Sequence, residues 1–155
     1  MSHKQLSAEI VALSTARQWD KARLEWSLEA VYFADEAETC LCGHFPIIEL
    51  CILRNRSNQA EATVGNHCVK KFMGLPSDKI FGALKRIKRK EDAALGPDAI
   101  EYAHRRRWMN DWERDFYFDT WRKRSLSVAQ SDKRAQINRK VLEAVEADTK
   151  PARTR

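Results

Sequence analysis

The stretch Cys40-Leu41-Cys42-Gly43-His44-Phe45-Pro46-Ile47-Ile48-Glu49-Leu50-Cys51, with Val64-Gly65-Asn66-His67-Cys68 beyond it, holds all 4 cysteines of this 155-residue chain. Within it Ile47, Ile48, Leu50, Ile52 and Leu53 make a short apolar β run, and Arg54-Asn55-Arg56-Ser57-Asn58 supplies turn residues. Ala60 to Val64 offers the returning strand, so a β-hairpin is expected. Gly65-Asn66 then permits a sharp change of direction, and His67 to Met73 fits the opening turns of a helix.

Thiols gathered in this way around two histidines point to a tetrahedral metal site, because zinc is held by four sulfur or nitrogen donors from turns and helix starts. Cys40 and Cys42 sit on a turn eased by Gly43, Cys51 lies in the hairpin, and Cys68 begins the next helix. These four are the expected ligands of a structural Zn2+. Their intervals of one, eight and sixteen residues match no common C-x2-C pair. Cys42 and His44 point the same way if the segment is extended, which makes His44 an alternative to Cys51. His67 adjoins Cys68, and neighbouring residues seldom bind one ion without strain, so it is the remoter alternative. Disulfides or plain buried thiols are the competing account, and a reducing compartment disfavours the first of these.

Working outward, residues 6–36 carry apolar side chains at three- and four-residue intervals, Trp19, Ala22, Trp26, Ala30 and Phe33 among them, and predict amphipathic helix. The module at 38–75 follows. From 77 to 147 the pattern is helix after helix. Ser77 is placed as an N-cap, Gly96-Pro97 starts a new helix, Asp111 caps the aromatic one, and Ser127 with Gln130 forms a capping box. Trp108, Trp112, Phe116 and Trp121 recur at helical intervals and are expected mainly in a core. Residues 148–155 have little to bury and are expected to form a disordered basic tail. The fold expected is mainly α (α+β): one domain over 1–147, helical, with an embedded zinc-stabilised β-hairpin.

Charge is unevenly placed. The formal net charge is +6, yet residues 1–68 hold 6 Lys/Arg against 9 Asp/Glu, and residues 69–155 hold 22 against 13. Three basic runs stand in the carboxyl half: Lys85, Arg86, Lys88, Arg89 and Lys90; Arg105, Arg106 and Arg107; Arg122, Lys123 and Arg124. Each suits phosphate contact, and 7 of the 14 aromatics lie between Tyr102 and Trp121, where exposed rings would stack on bases. A solvated helical exterior with ion pairs is the plainer account of the same charges.

No apolar run approaches the roughly 18 residues of a membrane span, and the start of the chain has no secretory apolar segment, so a cytoplasmic location is expected. No H-E-x-x-H, no H-x-E paired with P-C-x-x-C and no acid/base pair accompanies the cysteines, so no catalytic residue is assigned. A zinc-dependent nucleic-acid enzyme is the least favoured class.

The string Cys40 to Cys51, followed by Val64-Gly65-Asn66-His67-Cys68-Val69-Lys70-Lys71-Phe72-Met73-Gly74, resembles small proteins of bacteria and their phages that share a zinc-finger-like C-x-C-G-H core and whose function is uncharacterised. The likeness runs from the Trp26 region to about Phe81. It implies that the cysteine segment is one module, and it carries no activity. The function expected from the residues is a small zinc-binding, non-enzymatic nucleic-acid-binding protein, whether for DNA or RNA. The alternative is a protein-interaction or regulatory module with a structural zinc and a protein partner.

Overall fold

The computed structural model describes the backbone of residues 3–153 and the side chains of residues 3–147. Where the sequence was expected to form one domain over 1–147, contacts gather into two compact units, Met1–Asp78 and Lys79–Arg155. Helices and a three-stranded antiparallel sheet together make the fold α+β, as expected.

In the first unit a short helix α1 (His3–Ala12) and a single turn α2 (Trp19–Ala22) precede strands β1 (Trp26–Glu38), β2 (Ile47–Asn55) and β3 (Glu61–Gly65). The strands lie in the order β1-β2-β3. The expected hairpin is β2 and β3, paired from Leu50↔Gly65 to Arg54↔Glu61. The helix expected across 6–36 is overturned, because its second half is β1. Trp26, Leu28, Ala30, Tyr32 and Ala34 are buried with less buried residues between most of them, a period of two that the four-residue spacing of Trp26 and Ala30 disguises. Val31, Tyr32 and Phe33, β-branched or aromatic, suit a pleated surface. The pairing shifts register between Leu28 and Ala30, which lets Val31 be buried as well.

Polar contacts hold this register. Arg54 on β2 pairs bidentately with Glu29 of β1, both bonds 3.0 Å, and reaches Glu61 of β3 at 2.9 Å. Buried Asn55 accepts the amides of Ser57 and Asn58 through Oδ1, shaping the hairpin turn, and its Nδ2 donates to Glu25 at 2.8 Å. Glu25 also receives the Thr15 amide, the Thr15 hydroxyl and the Ala16 amide. The segment after α1 is thereby pinned to the hairpin.

After β3 the chain turns into α3 (Asn66–Cys68), continued by a wider helical turn over Val69–Met73 that Gly74 ends at φ +68°. Then comes α4 (Ser77–Arg89), on which the change of unit falls.

In the second unit, α4 is followed by α5 (Pro97–Arg105), α6 (Asp111–Thr120) and α7 (Val128–Arg153). Pro97 opens α5 as expected. The cap of α6 is Asn110, not Asp111: Asn110 Oδ1 accepts the Glu113 amide and Glu113 returns the bond, each at 2.8 Å. Ser127 and Gln130 form the expected capping box. Ile80, Phe81, Leu84 and Ile87 are buried on α4, with Ile100, Tyr102, Tyr117, Ile137 and Val141 from the later helices. The expectation of a core for the aromatics holds for Trp108 but not for Trp112, which is 58% exposed and stacks on Phe116 with Lys133 over its ring. The backbone of α7 runs to Arg153, and the tail expected over 148–155 falls on side chains outside those described.

Candidate metal centre and cationic surfaces

The cysteines converge because of how the sheet is connected. Leu50 pairs with Gly65 and Ile47 with Glu38, so the β1–β2 connection and the end of β3 lie at the same end of the sheet. Cys40 and Cys42 ride on that connection, and Cys68 is carried one helical turn past β3. The three sulfurs lie within 4.8 Å of one another, and all three residues are at most 4% exposed. Zinc–sulfur bonds of about 2.3 Å in a tetrahedron place sulfurs about 3.8 Å apart, so this cluster is of the size that a metal ion draws together. None of the four cysteines is in a disulfide.

The turn at 40–44 is tightly made. The Cys40 amide donates to the His44 carbonyl at 2.9 Å, and the Gly43 amide to the Cys40 carbonyl at 2.8 Å. Gly43 stands at φ +95°, where a side chain is strained. Cys40 Sγ then accepts two backbone amides, those of Cys42 at 3.4 Å and Gly65 at 3.2 Å. A Cβ on residue 65 would come within 3.1 Å of Ile47 Cδ1 and 3.4 Å of that sulfur, so the close approach depends on glycine.

This environment favours a thiolate. The Cys68 thiol donates to Cys40, holding Cys40 well below its ordinary range and raising Cys68; the two amides add to the effect at Cys40 against the opposing cost of burial. Thiolate is the form that binds metal.

Cys51 does not join the three. It lies in the middle of the central strand, opposite Val31 on one side and Val64 on the other, and is wholly buried. Burial pushes its thiol up to about 12, with the Ser77 side chain only partly countering. Being inside the hairpin placed it among the ladder rather than at its end. The sequence signal that separates it from the others is its apolar setting, Ile48 to Leu53, against the glycine-bearing turns around Cys42 and Cys68.

Both histidines named from the sequence are exposed and line one cavity of about 380 Å³ together with the three cysteines, Pro46, Ile47, Ile48, Glu49, Gly65 and Asn66. His44 follows Cys42 on the same turn. Asn66 was not foreseen from sequence. Its Oδ1 accepts the Ser77 hydroxyl at 2.6 Å, and its Nδ2 donates to Glu49 at 3.0 Å and Asp78 at 3.4 Å. A buried amide thus fixes the start of the helix that carries Cys68. Its place directly after the glycine that ends a strand is the only sequence signal it offers.

The basic runs are brought together only in part. Lys90, Lys123 and Arg124 border one hollow of about 300 Å³, while Arg105 and Arg107 border another with His104, Asp111 and Lys140. Arg86 is occupied, donating to the Ala94 and Leu95 carbonyls. Arg106 lies over Trp108, and Arg122 over Trp121. Lys85, Lys88 and Arg89 stand on the exposed side of α4. No helix among the described residues is long and apolar enough to cross a membrane. Compared with protein-family models, curated proteins and solved structures, the chain matches none.

Proposed function

We propose that the first unit is a zinc-binding module in which Cys40, Cys42 and Cys68 supply three ligands and His44 the fourth, and that the protein uses the cationic second unit to bind nucleic acid. The observation that carries this reading is the cluster of three buried thiols, one of them receiving two backbone amides. Soft thiolates with an imidazole in tetrahedral array suit zinc among the first-row metals. A four-ligand site leaves no position for a reacting water, so the metal's role is to organise structure. It would fix the β1–β2 connection against the start of α3, where elements of little intrinsic stability meet.

Support for nucleic acid is electrostatic. Residues 79–155 carry 20 Lys/Arg against 12 Asp/Glu, whereas residues 1–78 carry 8 against 10. A surface of that sign attracts polyanions and steers their approach.

The test has two parts. Protein purified without chelator should hold one zinc per chain, and its cobalt-substituted form should show the visible and near-ultraviolet bands of tetrahedral thiolate ligation. Anisotropy of labelled DNA and RNA at about 50 and 200 mM salt should show affinity falling steeply with salt. Metal-free folded protein would end the first claim, and absence of salt-dependent binding the second.

A second reading has one observation in its favour. Phe45 and Ile48 are 60% and 54% exposed, Phe45 on the metal-bearing connection and Ile48 at the start of β2, an arrangement that suits an apolar anchor for a protein partner. Pull-down dependent on Phe45 and insensitive to salt would favour it over nucleic acid.

A further inference from the structure

The hollow beside the α6–α7 connection has the composition of an anion site. Four cations, Lys90, Lys123, Arg124 and Arg134, border it against a single carboxylate, Asp92, with Trp121 as an aromatic wall. Asp92 is already engaged: Oδ2 accepts the Ser131 hydroxyl at 2.7 Å, and Lys90 Nζ lies 3.9 Å from Oδ1. The excess of positive charge is therefore not cancelled within the hollow.

Arg134 makes this charge permanent. It is 4% exposed, yet its guanidinium is bound by carbonyls, those of Thr120 at 2.5 Å and Asp92 at 3.3 Å, and by the face of Tyr117. Its Nε has no hydrogen-bond partner among the described residues. Carbonyls and a ring orient a guanidinium without neutralising it, and the one carboxylate of the hollow that acts on it, Asp92, is shared with Lys90, so four cations face a single anion and the local potential stays positive. In front of it Lys123 and Arg124 are exposed, and neither side chain has an ion pair or hydrogen bond among the described residues. Both stand on the short connection held between the end of α6 and the capped start of α7.

We propose that this hollow is a phosphate site for the backbone of a nucleic acid, with Lys123 and Arg124 contacting the phosphodiester, Lys90 adding charge at the rim, and buried Arg134 supplying a fixed positive field behind them. A volume of about 300 Å³ accommodates a phosphate with part of its sugar. The hollow at Arg105 and Arg107 differs in kind, since His104 there is engaged with Asp111 at 2.7 Å. The site deepens the nucleic-acid reading and rests on it.

The experiment compares the full-length parent with K90Q/K123Q/R124Q, and with K4Q/R17Q/K21Q of the first unit as the charge-matched control, using anisotropy of labelled single-stranded DNA, duplex DNA and RNA across a salt series. All the substituted residues are exposed, and circular dichroism of each variant verifies the fold. Loss of two or three phosphate contacts lowers the magnitude of the log K against log salt slope by about 2 to 3, with affinity at about 50 mM salt falling at least tenfold. The control should change little. Parent binding with an unaltered slope in the triple variant would overturn the site and leave the nucleic-acid reading standing. Absence of parent binding at low salt would overturn both. Inorganic phosphate is the second probe. If it shifts the Trp121 indole resonance in a parent that binds no nucleic acid, the hollow takes a small anion and the proposal fails.

Discussion

Cys42 and Cys51 are both buried cysteines of one short segment, and substituting them separates a proposed ligand from a core residue. Cys42→Ser removes one of three converging thiols, so zinc affinity should fall by more than about 100-fold, beyond the loss typical of groups that only support a ligand. Cys51→Ala should retain one zinc per chain and cost about 1 kcal/mol of stability, as an ordinary interior truncation does. Zinc content after dialysis and thermal melts read both outcomes; zinc lost from the Cys51 variant would restore the four-cysteine set. His44→Ala should weaken zinc binding and shift the cobalt spectrum, while His67→Ala should leave that spectrum unchanged. The sequence made the presence of a cysteine-rich centre legible because thiols are rare and these were clustered. It did not distinguish Cys51, since ligand choice depends on which end of a sheet a residue occupies, and that follows from pairing between strands. Asn66 was illegible for a related reason: its partners Glu49, Ser77 and Asp78 lie 11 to 17 residues away.

At the scale of elements, two polar hubs tie helices and turns to the sheet. Asn66→Ala would leave the buried Ser77 hydroxyl without its acceptor and should cost about 1–3 kcal/mol. Because the same contacts position α3, zinc affinity should fall by about 10- to 100-fold alongside. A denaturant titration of the zinc-loaded variant, paired with a competition titration for zinc, checks the two effects; undiminished affinity would show that α3 is fixed by other means. Glu25 acts at the other end of the sheet. The Thr15 amide and the Asn55 side chain, with Ala16 and the Thr15 hydroxyl, hold its carboxyl down to about 2 from 4.5. The unfolded chain therefore takes up the proton more readily, so this contribution is fully present above about pH 4.5 and is lost as pH falls toward 2. Glu25→Gln should flatten the acid limb of the stability profile over that window, as pH-dependent melting will show. The hairpin, the Pro97 start and the Ser127 capping box were legible because each rests on local residue chemistry. β1 was not, because Trp26, Ala30 and Phe33 satisfy helical spacing while Trp26, Leu28, Ala30 and Tyr32 satisfy strand spacing. Its pairing with β2, more than twenty residues away for Trp26 to Ala30, decides between them.

For the whole molecule, the division into two units determines where removal of the proposed zinc would be felt. Every candidate ligand lies between residues 40 and 68, within the first unit. That unit has its sheet joined to short helices of ten residues or fewer before α4, elements too short to be stable without tertiary support. The second unit has its own buried residues and internal links, among them Lys140 to Glu113 at 2.6 Å and Tyr117 to Asn138 at 2.6 Å. Opening free energies in proteins differ between such cooperative regions, and a ligand protects chiefly the region whose folded form it binds. Removing zinc with a chelator should therefore raise hydrogen exchange strongly at the amides of β2, β3 and α3, the Gly65 amide included. Amides in α6 and the first turns of α7 should keep most of their protection. Exchange followed by peptide-resolved mass spectrometry, with and without added zinc, gives the comparison directly. A uniform loss of protection over both units would mean that the metal stabilises the chain as one cooperative structure, while no change in the first unit would mean that the thiol cluster does its work there without metal.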